Sequence, residues 1–272
     1  MNHLLWNDPS LEVRQQACIT LEKLNANHIV YQDLLVKFKN LQFTNSESEN
    51  LEKQPSQESF ENPKKSPEQN RSLKKPSIDS QDKLWCLSVV RQLKIMTAQL
   101  LPCYINCFEE KDHADVRLLS CHVANDLKLT SSRVYDCLMV RAQNDSADHV
   151  KAAAIEALTN FNATPEILKM MTWAARFENN WIVRLASVNS LGKLNGIRLE
   201  GMKESQDCLK SMRERAIIES NFTVKTRIRT LLKEQLGIEC KDSDLKELKQ
   251  IKEQVSSLCT KEKILELMYE QA

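Results

Sequence analysis

Four glycines and seven prolines in 272 residues leave little material for tight turns, which hairpin-built sheet proteins use in quantity. Aromatic residues make up only 6% of the chain, so strand-favouring side chains are scarce as well. With so little glycine there is no phosphate-cradling loop and no nucleophile elbow. Excess charge of one sign is also missing. The 38 basic and 37 acidic residues leave a formal charge of +1, which gives no overall bias towards nucleic acid or an acidic surface. Long apolar runs are absent: the most apolar stretch, 95–108, is broken by Gln99, Pro102 and Asn106 and is too short to span a bilayer. The first residues carry no secretory pattern, so a membrane is not expected as a partner.

What is present is leucine, lysine, glutamate, alanine and glutamine, with apolar residues at three- and four-residue spacing. That is an all-α pattern. Nine cysteines, an odd number, are scattered through it and read as free, buried thiols of a reducing compartment. The expected location is cytoplasmic, with the nucleus as the alternative. One segment differs. Residues 44–82 hold four of the seven prolines, and their only large apolar residues are Leu51, Phe60, Leu73 and Ile78. Such a composition is expected to be disordered.

A single pattern recurs in the helical parts. Val150-Lys151 is followed by Ala154, Leu158 and Phe161, at offsets of 4, 8 and 11 from the valine. Val183-Arg184 has Ser187, Leu191 and Leu194; Val116-Arg117 has Ser120, Ala124 and Leu127; Val13-Arg14 has Ala17, Leu21 and Leu24. Val224-Lys225 is a looser copy with Ile228, Leu232 and Gln235. An Asp or Asn precedes each: Asp8, Asp112, Asp145, Asn179 and Asn221. The offsets place these residues on one helical face. Successive valines from Val116 lie 34, 33 and 41 residues apart, and two-helix units at that period define an α-solenoid. A degenerate copy is expected one period before Val116, read as Leu84, Ser88, Gln92 and Ile95. The polar segment then becomes an insertion between the two helices of one repeat.

The predicted organisation is therefore first repeats over 1–43, the insertion over 44–82, further repeats over 83–237 and a helical C-terminal cap over 238–272. The first repeat reads as short of most of a helix. That leaves an N-terminal edge expected to join further repeats or a partner, in a fragment or short isoform of a longer solenoid. Asp or Asn, then Val-Arg/Lys, then a small residue and two leucines resembles HEAT repeats, closest to the short subtype of phycobilisome lyases. The resemblance implies a right-handed, armadillo-like superhelix of about six helix pairs serving as a protein-binding scaffold.

The recurring cations Arg117, Lys151 and Arg184 would line up along one side. They read first as a ladder pairing with acids of neighbouring repeats, and second as a basic stripe that binds a protein partner. Some members of the repeat class hold a di-iron centre through His-Glu dipeptides, but none of the five histidines here precedes a glutamate. Cys103 and Cys107 share a face as half a zinc site would, without a second pair of comparable spacing. No catalytic residue, metal or cofactor is therefore expected. Met170, Met171, Trp173 and Trp181 read as packing between repeats before they read as a small-molecule groove. A basic patch at 210–229, with Lys225 and Arg229 on one face, is the basis for a nucleic-acid alternative, although no aromatics interleave with it. Within the insertion, Ser66-Pro67 is a candidate phosphorylation site.

Overall fold

A computed structural model describes residues 2–24, 27–51, 78–196 and 202–238. Every regular element among them is helical, and none is long and apolar enough to cross a membrane. The chain divides into two compact units, Met1–Asn160 and Phe161–Ala272.

The first unit contains α1 (Asn2–Asn7), α2 (Leu11–Lys23), α3 (Asn27–Leu51), α4 (Ile78–Leu93), α5 (Leu101–Phe108), α6 (Ala114–Asp126), α7 (Ser132–Asn144) and α8 (Asp148–Ala157). Each even-numbered helix packs on the odd-numbered helix before it. The even helices α2, α4, α6 and α8 also pack in succession, as do α3, α5 and α7. In the second unit α9 (Pro165–Phe177) pairs with α10 (Trp181–Lys193), and α11 (Lys203–Ile218) pairs with α12 (Phe222–Leu236). There α9 also packs on α11, and α10 on α12.

Local chemistry sets where these helices begin and end. Ser131 and Thr164 cap α7 and α9 by accepting from Val134 N and Ile167 N, and Pro165 occupies the first turn of α9. Asn180 caps α10, and Asn221 caps α12. Three even helices stop the same way. Lys94, Lys128 and Asn195 turn to positive φ, and the following amides reach back: Ile95 N to Val90 O, Leu129 N to Ala124 O and Gly196 N to Leu191 O. Gly237 ends α12 at φ 66°, where a residue without Cβ is unstrained. Glycine matters once more at Gly192, whose added Cβ would meet Leu231 Cδ1 at 2.9 Å; α10 and α12 approach closely there.

Aligning these helix ends corrects the register of the degenerate copy. Leu93, not Ile95, is equivalent to Leu127 and Leu194, so the copy runs from Asp82-Lys83 through Cys86 and Val90 to Leu93. Cys86, Val90 and Leu93 are buried, whereas Gln92 is exposed and Leu84, Ser88 and Ile95 are only partly covered. An aspartate in the valine place hid the register of this repeat, because apolar spacing cannot locate a position that is no longer apolar. In the other copies Val116, Ser120, Ala124, Val150, Ala154, Leu158, Val183, Ser187 and Leu191 form the core between packed helices.

Both ends of the segment expected to be disordered, 44–82, are helical, since α3 continues to Leu51 and α4 begins at Ile78. Once a helix is nucleated by packing, each added residue gains one backbone bond, so a helix can extend into a weak sequence. Residues 52–77, with Ser66, and all but Ile238 of the expected cap over 238–272 lie outside the described residues.

Candidate functional site

The recurrent arginines are joined to acids of the next helix pair. Arg117, in the first turn of α6, donates from Nε to Asp145 Oδ2 at 2.7 Å and from Nη2 to Asp145 Oδ1 at 2.8 Å. Its Nη1 donates to the carbonyls of Glu110 at 2.7 Å and Lys111 at 3.3 Å. Asp145 lies between α7 and α8. It also accepts from Ala147 N at 2.9 Å and from Arg141 Nη1, one helical turn back, at 3.3 Å. The second unit repeats this construction. Arg184 donates from Nε and Nη2 to Glu219 at 3.0 and 2.8 Å, and from Nη1 to the carbonyls of Glu178 and Asn179 at 2.9 and 2.7 Å. Glu219 accepts from Asn221 N at 2.9 Å, and Arg215 Nε stands 2.9 Å away as an ion pair rather than a directed hydrogen bond. A shorter form joins α4 to the loop after α5, where Lys83 Nζ donates to Glu110 Oε2 at 2.9 Å.

These clamps are buried. Arg117 and Arg184 are 4% and 6% exposed, and the side chains of Asp145 and Glu219 are fully covered. Burial alone would raise the Asp145 carboxyl's pKa. The Arg117 hydrogen bonds, the Ala147 amide and the Arg141 charge outweigh it and hold the group below its ordinary value. Glu219 is held down in the same way by Arg184, the Asn221 amide and Arg215. The Asp145 hydrogen bonds also outweigh desolvation at Arg117 and raise its pKa. Carboxylates saturated by cations and amides are poor bases and poor nucleophiles. The chemistry is that of a lock between helix pairs.

The second reading of Arg117 and Arg184, an open basic stripe, is therefore corrected: both guanidiniums are covered and their donors are engaged within the chain. The pairs are also not the weak exposed bridges that a solvent-facing ladder would make. Lys151 stands at the equivalent place in α8 and is half-buried. In the basic patch of the second unit, Arg215 is committed to Glu219, Arg227 donates to Asn189 at 2.7 Å and Arg229 reaches the Ala216 carbonyl at 3.4 Å. Lys225 and Arg229 are both half-buried, whereas Lys210 and Arg213 of the same patch are exposed.

Sequence reasoning missed Glu219 as the acid of the second clamp. The signal was a spacing: an acid stands six residues before the recurring cation in Asp8/Arg14, Asp145/Lys151, Glu178/Arg184 and Glu219/Lys225. Sequence also placed the tryptophans between repeats. Met170 and Met171 are buried, but Trp173 and Trp181 are exposed, together with Phe177, Ile182, Ile218 and Phe222, the last 81% exposed. Trp181 and Ile182 share a shallow cleft of about 520 Å³ with Asn179, Ser220 and Asn221.

The seven described cysteines are free thiols, and all but Cys137 are buried. Burial raises the pKa of Cys18 and Cys208 to about 11 and that of Cys86 to about 12; Cys107 and Cys121 are pushed higher still. Cys107 donates to the Cys103 carbonyl at 3.6 Å, as a thiol inside a helix does. Among the described residues, no group of three or more His, Cys, Asp or Glu side chains could hold a metal ion. The chain matches no known protein-family profile.

Proposed function

We propose that the chain is a non-catalytic scaffold for protein–protein interaction, built as a HEAT-like α-solenoid of about six helix pairs. The supporting observation is the recurring lock. In α6 and α10 the same arginine binds the loop of its own helix pair by two carbonyls and the next pair by a buried carboxylate. Lys83 and Glu110 repeat the link one period earlier. Repetition of one joint along a chain suits stacked units, and stacking creates extended surfaces rather than a single enclosed pocket. The exposed aromatic residues at the ends of α9, α10 and α12 suit protein contact. A cytoplasmic or nuclear setting fits free thiols.

Cross-linking mass spectrometry on the tagged, full-length chain isolated from cells tests this reading. A scaffold yields at least one protein partner in stoichiometric amount, cross-linked to described surface residues. A chain isolated alone under the same cross-linking, with no partner-linked peptide, would overturn it.

A further inference from the structure

Arg14 holds in α2 the place that Arg117 and Arg184 hold in α6 and α10, one residue after the leading valine of the shared pattern. Its surroundings differ. The guanidinium lies over the Trp85 ring, 4.9 Å from the centroid, and no hydrogen-bond or ion-pair acceptor for it is found among the described residues. Its Nε is buried without a partner. The cause lies in the sequence. Six residues before Lys83, where the next helix pair would supply the acid, the chain carries Ser77. Among the described residues Arg14 is thus a lock cation without its carboxylate, and a covered guanidinium donor without an acceptor is costly.

Beside it a groove of about 640 Å³ runs between α2 and α4. Leu84 and Trp85 give it an apolar wall, while Gln15, Gln81 and Gln92 contribute amides. Trp85 is fixed from below by donating to the Leu5 carbonyl at 3.1 Å. Arg14 is the only charged side chain among the described lining residues, and Glu22 at the rim is bonded by the Gln92 amide. The groove is therefore cationic, rich in hydrogen-bonding groups and partly apolar.

We infer that this groove is a docking site for a carboxylate-bearing peptide segment of a partner protein, with Arg14 as its anchor. The inference rests on the scaffold reading and specifies one of its surfaces. The carboxylate takes the two Nη donors of Arg14, much as Asp145 and Glu219 each hold two donors of their own arginines, and an adjacent apolar side chain lies against Leu84 and Trp85.

The test uses two short fluorescein-labelled peptides, one of alternating glutamate and leucine and a twin with glutamine for glutamate. Each is titrated with the full-length chain and followed by fluorescence anisotropy. The glutamate peptide is expected to bind about tenfold or more tightly than its twin, a preference that Arg14→Gln abolishes and added salt weakens. Exposed Gln15 supplies a second variant that leaves the anchor in place. Gln15→Glu should weaken the glutamate peptide several-fold and spare the twin, with an unchanged circular dichroism spectrum. Equal binding of the two peptides, undiminished binding by Arg14→Gln, or no binding at all would overturn the inference. Binding seen only after residues 52–77 are replaced by a Gly-Ser link would overturn it too, by making the chain's own insertion the occupant. Partner cross-links elsewhere on the chain would survive such a result, so the scaffold reading stands or falls separately.

Discussion

Asp145 and Arg117 show how much depends on one carboxylate. Its two oxygens accept from two arginines and one amide with no solvent exposure, so Asp145→Asn leaves a buried guanidinium facing a neutral amide. Breaking a buried pair from one side costs about 3 kcal/mol, which urea denaturation monitored at 222 nm should read for Asp145→Asn and for Glu219→Gln alike. The acid limb follows with a definite sign. Both carboxyls have depressed folded-state pKa values, so their contribution is complete above the unfolded values of 3.8 and 4.5 and is lost as pH falls through the lower folded ones. The double variant should accordingly show a flatter loss of stability below about pH 4.5 than the parent. At this scale the participants were legible from spacing, and their burial was not. Arg117 meets its carboxylate 28 residues further along the chain, and no local property of Val116-Arg117 announces that.

Among the elements, helix ends were more informative than helix faces. The shared stop at Lys94, Lys128 and Asn195 places a side chain in the left-handed region, which costs an L residue about 1–2 kcal/mol that glycine avoids. Part of that gain is offset by glycine's greater freedom in the unfolded chain. Lys128→Gly should therefore raise the melting temperature slightly, by the equivalent of a few tenths to about 1 kcal/mol. Gly192→Val should do the reverse. The new Cβ would stand 2.9 Å from Leu231 Cδ1 and 3.5 Å from Arg227 Nη2, and overpacking of this kind costs roughly 1–3 kcal/mol despite valine's better helix propensity. The failed register at Leu84 has the same lesson. Periodicity finds a helix but does not phase it when Asp82 replaces the leading valine, whereas a positive φ after Leu93 marks the phase directly.

Across the whole molecule, the thiols report on how uniformly the core is closed. Each described cysteine has a raised pKa from burial, so little thiolate exists near neutrality. Timed alkylation of the native protein with mass-spectrometric mapping should label half-buried Cys137 first among these seven, and the buried six only on unfolding. The alkaline limb has the opposite sign to the acid one. Stability from the neutral thiols is complete below their unfolded value of 9.0 and declines as pH rises towards about 11, where Cys18 and Cys208 ionise in the folded state. Unfolding midpoints measured from pH 8 to 11 should fall, and substituting serine for Cys208 should flatten that fall.

The sequence by itself determined the all-helical composition, the pairing of helices at a period near 34 residues and the recurrence of one cation per pair. All three are encoded within a single turn or a single repeat, where spacing is sufficient. Only the tertiary structure decided which cations are spent. Arg117 and Arg184 meet carboxylates contributed from 28 and 35 residues away, while Arg14, in the same Val-Arg dipeptide, meets an aromatic ring and an open groove. The difference is set by what the next helix pair brings to the joint, and that is a property of the packed chain.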